Sequence, residues 1–515
     1  MRYSSIIRRV WSCAQAAPEE VILKDANRFW SWRDLLWRAQ AYATALGVGS
    51  TVTPRDSTVP ILVGRSGDTV AAILGVLMSG RGFAPLSPNQ PAARLIHCFN
   101  TLDARDVIVP EGSGFSGGEA AIKTLRRVVL GDFDSRPGLP PVPSAMPLDQ
   151  ILYVLFTSGS TGVPKGVMAD CSNIENTMLW SADMLDWRSD DVIGCCTNFF
   201  FDISMFDVFS LFYFGVPLAI YSNPADVEKV VEETAKFKIT SVFGVPTFFS
   251  QILRRGMIGD SRLASLRRIV AGGDFFPPSH LIGWRKARPR IEIYNVWGPT
   301  ETSIVNTMHR VTEADMPLLN KGRSPPVGKA HQRMPFCLLD ENGVVVQESN
   351  LRGEICMLGA CVTRGYAGDP EKTKQAYINI GASQAFRTQD IGYVNENGDL
   401  FIVGRMGATV KVAGYRVDLG EVESAATKIP SIHLACACVI DLEPQSGDRE
   451  LWMVLEPDHD KRAVDIYSVK KTLRATLPPY MVPKRIFVSP ALPRNANGKI
   501  DRAAVTRFAI AEARK

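Results

Sequence analysis

The stretch FTSGSTGVPKG, from Phe156 to Gly166, continues directly from the apolar run Ile151 to Phe156. It contains two serines, two threonines, three glycines and one lysine. Glycine allows a sharp turn and a close approach of the backbone to a ligand, while hydroxyls, backbone N–H groups and a lysine can together surround an anion. The pattern indicates a phosphate-binding loop at the end of a buried strand. A flexible surface loop is the alternative, and this segment alone does not separate the two.

The composition is that of a globular protein larger than one ordinary domain. The chain has 515 residues, of which 46% are hydrophobic and 22% charged, enough for a large core and a smaller module. A net charge of +5 gives no electrostatic case for nucleic acid. The ten cysteines include no CxxC pair, so we expect a reducing compartment, the cytoplasm. No apolar run has the length of a membrane span, so we expect no membrane partner.

The N-terminal segment fits two descriptions. It is basic, contains serines and lacks acidic residues before Glu19, as a transit peptide does. It also places Ile6, Val10 and Cys13 near one face of a helix that would end before Pro18. We expect a structural helix here.

Apolar, β-rich runs alternate with helical patterns through the first four hundred residues. They are TVPILVG, DVIVP, ILYVLF, PLAIY, ITSVFGVP and RRIVAGG. This alternation predicts parallel sheets covered by helices. From about Gly392 the pattern changes to a hairpin with an Asn-Gly turn and then a glycine-rich strand region that leads into a helix. We place a domain boundary at Gly404–Gly407, which divides the chain into residues 1–404 and 405–515.

Four further segments accompany the first loop. They are YNVWGPTETS (Tyr294–Ser303), FRTQDIGY (Phe386–Tyr393), GRMGATVKVAGYRVDLGEVE (Gly404–Glu423) and NANGKID (Asn495–Asp501). In this order and spacing they resemble the adenylate-forming superfamily of acyl-CoA synthetases, luciferase-like ligases and amino-acid adenylation domains of nonribosomal peptide synthesis. The resemblance implies an α/β fold with a large N-terminal domain of β-sheets packed with helices. A small mobile C-terminal α+β domain would follow it.

The segment FFFDISMFDVF, from Phe199 to Phe209, distinguishes the branches of that superfamily. In amino-acid adenylation domains the aspartate of Phe-Asp-x-Ser pairs with the substrate's α-ammonium group, and Asp202 occupies that position. A buried carboxylate needs a cationic partner, although a helix N-cap or a structural salt bridge is an alternative role. The resemblance implies activation of an amino acid by ATP to aminoacyl-AMP and transfer to the phosphopantetheine thiol of a carrier protein. A ligase with CoA or an amine as acceptor, and a catalytically silent nucleotide-binding homologue, are the rival hypotheses.

The resemblance also implies a nucleotide site. The β- and γ-phosphates would lie against Thr157, Ser158, Gly159, Ser160, Thr161 and Gly162, with a mobile Lys165 guiding pyrophosphate. The base and ribose would contact Gly273, Asp274, Asn295, Trp297, Asp390 and Arg405. Catalysis would depend on Thr300 at the α-phosphate, Glu301 as a ligand of Mg²⁺ and Lys499 between the substrate carboxylate and the nucleotide. A solvated turn lysine is the alternative role for Lys499.

The same alignment predicts the walls around the substrate side chain. They are Ile203, Phe206, Val270, Gly272, Val296, Ile304 and Val305. None of these residues is charged, and a charged substrate side chain would need a buried partner. The pocket therefore favours a small or medium apolar amino acid such as alanine, valine or proline. Its identity and its stereochemistry stay open, because neighbouring apolar substrates differ by only about 1–3 kcal/mol per methylene.

Two positions depart from the family pattern. Gln389 replaces the glycine of Arg-Thr-Gly-Asp, which would cost about 1 kcal/mol if φ is positive there. Gly407 replaces the hinge aspartate, which should leave domain orientation less fixed. Neither a carrier domain with its Gly-Gly-x-Ser site nor a condensation domain is found, so we expect a stand-alone enzyme that loads a carrier in trans. An excised domain is the alternative.

Overall fold

The computed structural model of the chain describes residues 4–47, 58–111, 113, 125–131, 138–143, 146–157, 164–405, 409–442, 448–457, 464–494 and 500–515. At residues 405, 409 and 416 it describes the backbone but not the side chain. These residues are called the described region below.

Strands are numbered in chain order. They are β1 Val21–Lys24, β2 Phe29–Ser31, β3 Thr58–Leu62, β4 Gly82–Leu86, β5 Asp106–Ile108, β6 Arg126–Val128, β7 Ile151–Thr157, β8 Lys165–Asp170, β9 Ile193–Cys195, β10 Leu218–Ile220, β11 Ser241–Gly244, β12 Arg268–Ala271, β13 Glu292–Trp297, β14 Thr307–Arg310, β15 Gly328–Lys329, β16 Phe336–Leu339, β17 Arg352–Leu358, β18 Tyr377–Ile380, β19 Ser383–Val394, β20 Asp399–Arg405, β21 Thr409–Val412, β22 Tyr415–Asp418, β23 Ile432–Asp441, β24 Arg449–Pro457 and β25 Arg485–Val488.

The α-helices are numbered in the same way. They are α1 Ile6–Ala16, α2 Trp32–Ala45, α3 Gly67–Met78, α4 Ala92–Thr101, α5 Cys171–Met184, α6 Asp202–Phe214, α7 Val227–Phe237, α8 Pro246–Arg254, α9 Pro278–Ala287, α10 Met316–Asn320, α11 Pro370–Ala376, α12 Leu419–Thr427, α13 Ile466–Thr476 and α14 Arg502–Ala513. A single turn of 3-10 helix covers Thr300–Thr302. The predicted N-terminal helix is confirmed as α1, which buries Ile6, Val10 and Trp11. None of the described helices combines the length and apolar character that crossing a bilayer requires.

Two mostly parallel sheets form the body of the N-terminal part. The first has the strand order β14-β13-β12-β11-β9-β10-β1-β2, and the second has β6-β5-β3-β4-β7-β8. All six apolar runs singled out in the sequence contribute strands to these two sheets, as predicted. In the first sheet Gly244 lies opposite Ala271 and Ala271 opposite Asn295. The chain therefore leaves β11, β12 and β13 at one edge, where ligands of parallel sheets bind.

Helix α6 lies between the two sheets and is buried on nearly every side. The Phe209 ring stacks on Tyr153 of β7 at 6.3 Å, and the Phe206 ring meets Phe243 of β11 edge-on at 5.2 Å. A helix that is apolar all round is stable only inside a core. The run FFFDISMFDVF thus holds the start of α6, and with it Asp202, at a fixed place.

A third sheet is antiparallel, with the order β15-β20-β19-β17-β16 and β18 paired to β19. The sequence prediction of parallel sheets throughout is wrong for this one. The predicted Asn-Gly hairpin is confirmed as β19–β20.

The C-terminal part is a small α+β unit, as predicted. It consists of the β21–β22 hairpin, the sheet β23-β24-β25 and helices α12 to α14. The proposed boundary remains a prediction, because Gly407 lies outside the described region. All ten cysteines are free thiols.

Candidate active site

A cavity of about 190 Å³ opens at the shared edge of β11, β12 and β13. The N-terminal part supplies one wall, including Asp202, Phe243, Gly272 and Thr300. The C-terminal part supplies the facing wall, through its β21–β22 turn and Tyr480. The cavity therefore lies between the two parts of the chain.

Asp202 is the first residue of α6 and lines this cavity. Its carboxylate accepts hydrogen bonds from the Thr300 hydroxyl at 2.5 Å and from the Ile203 amide at 2.9 Å. Burial raises the pKa of the Asp202 carboxyl above its ordinary value, and Glu301 adds to the rise. These two hydrogen bonds and the Lys411 ammonium oppose it. The N-cap of α6 is Phe201, so Asp202 does not take the alternative role of N-cap.

The predicted side-chain walls are mostly in place. Ile203, Gly272, Val296, Ile304 and Val305 line the cavity. Phe206 and Val270 are not among its lining residues, because both are buried in the core. The Phe206 ring packs edge-on against Phe243, which does line the cavity.

Two lining residues have unusual local geometry: Gly272 is closely packed against Val296, and Ile304 has a positive φ. A Cβ atom added at Gly272 would lie 2.5 Å from Val296 Cγ2, so no side chain fits there without movement of Val296. Ile304 has φ +79, a conformation that β-branched residues rarely adopt. The Thr177 and Ser303 hydroxyls hold this segment by donating to backbone carbonyls of Ser303 and Cys361. Backbone strain of this kind clusters at functional sites.

Trp297 and Asp390 meet at the rim of the cavity. The indole N–H of Trp297 donates to Asp390 Oδ2 at 3.0 Å, and both side chains are 6% exposed. Trp297 was predicted to cover the adenine base. The structure also shows that Trp297 contacts Asp390, whose carboxylate was predicted to bind the ribose.

A second cavity of about 690 Å³ adjoins the first across Gly273, Trp297 and Asp390. Asp274 and Asn295, two residues predicted to frame the base, line it. The Asn295 amide already donates to the carbonyls of Pro325 and Pro326, at 3.3 and 2.9 Å. The side chain of Arg405 lies outside the described region, although its backbone pairs opposite Asp390.

The glycine-rich segment Phe156–Gly166 connects β7 to β8, and these two strands pair antiparallel. Thr157 and Lys165 lie opposite each other in the register, so the loop begins and ends at one place. The Thr157 hydroxyl is buried, lines the first cavity and has no hydrogen-bond partner among the described residues. The remaining predicted phosphate ligands, Ser158, Gly159, Ser160, Thr161 and Gly162, lie outside the described region.

Glu301 is fully buried in the 3-10 turn that follows β13. Its Oε1 accepts a hydrogen bond from the Tyr366 hydroxyl at 3.0 Å, and its backbone carbonyl accepts two from Thr363. The Lys165 ammonium lies 5.2 Å from the centre of the Tyr366 ring. Lys499 lies outside the described region.

Several lining residues were missed by the sequence analysis. They include Phe243 of β11, Val245 directly after it, Phe201, and Lys411, Tyr415 and Tyr480 of the C-terminal part. Lys411 and Tyr415 belong to the family motif Gly404–Glu423, so the sequence does contain a signal for them. The motif alone does not say which of its side chains face the cavity.

Comparison with known proteins identifies the family. Residues 10–367 match the family described as AMP-binding enzyme, and residues 421–499 match its C-terminal domain. The chain belongs to the AMP-binding enzyme family. This membership confirms the resemblance to adenylate-forming enzymes that the motifs indicated.

Curated relatives cover the chain almost completely. It is 27% identical to a D-alanine–D-alanyl carrier protein ligase of Bacillus licheniformis over 96% of this chain and 98% of that protein. It is 29% identical to an L-proline–[L-prolyl-carrier protein] ligase of Streptomyces coelicolor over 85% and 86%. It is 28% identical to a plipastatin synthase of Bacillus subtilis over 96% of this chain, which spans only 18% of that larger protein.

Solved structures confirm the fold. An adenylation domain of Vibrio cholerae, AlmE, in complex with glycyl-adenosine-5′-phosphate aligns with a TM-score of 0.86 and 21% identity over 99% of this chain and 98% of that one. The amide bond synthetase McbA of Marinactinospora thermotolerans aligns with a TM-score of 0.85 and 22% identity over 98% and 99%. The α/β architecture with a large N-terminal and a small C-terminal domain is therefore that of adenylation enzymes.

Proposed function

We propose that this AMP-binding enzyme activates an amino acid as its adenylate and transfers it to the thiol of a carrier protein. The observation that supports this proposal is the position of Asp202. It places a carboxylate at the head of the cavity, with Thr300 directly beside it and apolar walls beyond. A carboxylate in that position selects a substrate that carries an ammonium group. The names of the D-alanine and L-proline ligases support the same substrate class.

The nucleotide would lie across Trp297 and Asp390, with its phosphates toward the β7–β8 loop. The Thr157 hydroxyl, which has no partner within the described region, points to an acceptor at that end of the cavity. Lys165, on the opposite side of the loop, would attract the pyrophosphate that leaves. Asp390 would accept hydrogen bonds from the ribose hydroxyls.

The proposed nucleotide site includes one Mg²⁺ ion beside Glu301, which is fully buried and directly follows Thr300 of the first cavity. The described region contains no cluster of three metal-ligating side chains, and Mg²⁺ is often bound by one or two carboxylates plus substrate phosphates. Glu301 would supply the carboxylate. The ion, when bound, would offset the negative charge of the phosphates.

The carboxylate and the triphosphate repel each other, so a cation must lie between them. Lys499 is the proposed group. In the structure the β21–β22 turn faces the cavity, and the described neighbours of Lys499, Arg494 and Ile500, are not among the lining residues. Lys499 would act after a rotation of the C-terminal part, and the orientation seen here would serve the transfer step.

The walls favour a small or medium apolar side chain. Ile203, Phe243 and Val296 narrow the cavity beyond Asp202. The charged lining residues of the described region are Asp202, Asp390 and Lys411, and the two carboxylates already have roles at the ammonium group and the ribose. Alanine, valine and proline remain the proposed substrates, in either stereochemistry.

The test is amino-acid-dependent exchange of pyrophosphate into ATP, run across the proteinogenic and D-amino acids. We expect strong exchange with one small apolar amino acid and almost none in the variant Lys499→Ala, which should still fold. The acceptor is then identified by offering a phosphopantetheinylated carrier protein, CoA or a simple amine to the radiolabelled adenylate. Transfer to CoA or the amine alone would contradict the carrier proposal.

Exchange with no amino acid, combined with ATP binding in a calorimeter, would favour the silent homologue. One observation motivates this second candidate. Gln389 does adopt positive φ, at +62, so the departure from the family glycine carries the predicted strain.

A further inference from the structure

The segment Arg364 to Ala367 runs alongside β8 and pairs with it through an isolated antiparallel β-bridge. The Arg364 amide donates to Met168, the Met168 amide to Gly365, and the Ala367 amide to Gly166, at 2.9, 3.0 and 2.7 Å. This register puts Tyr366 opposite Val167, near the start of the strand that begins with Lys165.

The backbone around Tyr366 is held in one conformation. Gly365 has φ +105, and a Cβ atom there would lie 2.4 Å from Thr373 Cγ2. The Tyr366 amide donates to the Thr373 hydroxyl at 2.9 Å. The ring itself is 5% exposed and meets the Tyr377 ring edge-on at 5.6 Å. Tyr366 is thus a rigid group.

Tyr366 contacts two proposed site residues that come from different sheets. Its hydroxyl donates to Glu301, which follows β13 of the first sheet, and its ring lies under the ammonium of Lys165, on β8 of the second. A hydrogen bond to a ligating carboxylate fixes its direction and tunes its affinity for the metal. An aromatic face attracts an ammonium group.

We propose that Tyr366 is a positioning residue for the phosphate end of the site. Its hydroxyl orients Glu301 toward the metal–nucleotide complex, and its ring holds Lys165 where pyrophosphate departs. The inference rests on the proposed function only for the identity of the ligands. No property of the amino-acid pocket enters it.

Two variants separate the two contacts. Tyr366→Phe removes the hydroxyl and keeps the ring, whereas Tyr366→Leu removes both. The first measurement is the affinity for Mn²⁺, followed by electron paramagnetic resonance in the presence of saturating α,β-methylene-ATP. The second is the KM for pyrophosphate in the exchange reaction. Thermal unfolding of each variant checks that it folds.

We expect Tyr366→Phe to weaken Mn²⁺ binding about 10-fold and to leave the pyrophosphate KM unchanged. Tyr366→Leu should show the same loss of Mn²⁺ affinity and raise the pyrophosphate KM about threefold. If the leucine variant does not fold, the phenylalanine variant still decides the role of the hydroxyl.

The matched control is Tyr377→Phe. The Tyr377 residue is also buried, and its hydroxyl lies 2.8 Å from the Thr363 hydroxyl, which donates to the backbone carbonyl of Glu301 and not to its carboxylate. We expect wild-type Mn²⁺ affinity in this variant. An equal loss in Tyr377→Phe, or wild-type Mn²⁺ affinity in Tyr366→Phe, would overturn the proposal.

The Mn²⁺ titration needs no amino acid, so it separates two failures. Exchange with no amino acid, together with a Mn²⁺ affinity that falls in Tyr366→Phe, would reject the proposed reaction and keep the role of Tyr366. Normal exchange with one amino acid, together with an unchanged Mn²⁺ affinity in Tyr366→Phe, would keep the proposed reaction and reject the role of Tyr366. A wild-type protein that does not bind Mn²⁺ with the ATP analogue would reject both.

Discussion

Arg94 of α4 and Glu421 of α12 form an ion pair that is buried between the two parts of the chain, with side chains 8% and 1% exposed. Beside the start of α6, the Tyr415 ring stacks on Tyr480 at 4.4 Å and meets Phe201 edge-on at 4.8 Å. Together these contacts hold the orientation in which the β21–β22 turn faces the cavity.

Glu421→Gln should weaken that orientation selectively. Removing one member of a buried pair leaves the other charge uncompensated, at a cost of about 3–5 kcal/mol. We expect acyl transfer to the carrier, measured in a single turnover from preformed adenylate, to slow at least about 10-fold, which corresponds to about 1.4 kcal/mol. Pyrophosphate exchange should stay within about twofold, since the proposed adenylation step uses the other orientation.

The control is Asp448→Asn. Arg254 and Asp448 also pair across the two parts, but their side chains are 32% and 43% exposed, and exposed pairs contribute about 0–1 kcal/mol. This variant should load the carrier normally. If both variants slowed both half-reactions equally, the buried pair would not set the orientation.

Gln389→Gly should stabilise the protein. Gln389 has φ +62, a conformation that costs a non-glycine residue roughly 1–2 kcal/mol of folding free energy. The greater chain entropy of glycine in the unfolded state offsets about 0.5–1 kcal/mol of the gain from the substitution. Its amide, which donates to Glu354 at 3.0 Å, is kept in the variant. Urea unfolding should show a gain of about 0.5–1 kcal/mol. Gln384→Gly, at an exposed position of the same strand without positive φ, should lose stability instead.

Trp297→Phe should impair nucleotide binding while keeping an aromatic ring. The substitution removes the N–H that donates to Asp390, and hydrogen bonds to charged groups contribute about 1.5–3 kcal/mol. We expect the KM for ATP to rise about 10-fold and the preference for ATP over 2′-deoxy-ATP to shrink. Trp284→Phe, which removes a buried indole contact to the Phe249 carbonyl at a residue that lines neither cavity, should change neither value. An unchanged preference in Trp297→Phe would show that Asp390 does not depend on the indole.

Asp202 should give amino-acid binding an acid limb. The substrate ammonium needs the ionised carboxylate, and burial raises the pKa of Asp202, so the KM for the amino acid should rise as the pH falls through that raised pKa. Because the folded-state pKa is the higher one, ionisation also costs folding free energy above the unfolded-state pKa. Asp202→Asn should therefore abolish activation, by at least about 100-fold, and make stability less dependent on pH.

Asp207 provides the comparison, one turn further along α6. Burial also raises the pKa of its carboxyl, well above the ordinary value, and the group does not line the cavity. Asp207→Asn should alter the pH dependence of unfolding but leave the pH profile of the amino-acid KM in place. A shifted profile in this variant would assign the acid limb to the helix rather than to Asp202.

The sequence predicted the local elements of the site well. The strand β7 and the turn after β13 depend on an apolar run and on turn residues that are adjacent in the chain. The glycine-rich loop after β7 lies outside the described region and stays a prediction. The left-handed conformation at Gln389 was also predictable, since the family glycine at that position is informative by itself.

Tertiary relationships were harder to predict. Phe206 shares a helix face with Asp202 and Ile203, yet it packs against Phe243 and does not line the cavity, and only the packing of α6 on β11 reveals this. The antiparallel third sheet was missed, apart from its β19–β20 hairpin, because the pairing of β17 with β19 joins segments that are distant in the chain and that no tight turn connects. The contact of Tyr366 with Glu301 and Lys165 joins three distant segments, which no local pattern records.

Because Gly272 lies so close to Val296, substitutions at these two positions depend on each other during evolution. Any side chain at 272 collides with Val296 Cγ2, while a smaller residue at 296 alone leaves an unfilled void. A change of substrate by this route passes through an intermediate that is worse than either end point. The two positions therefore form an epistatic pair, and searches for new specificity should vary them together.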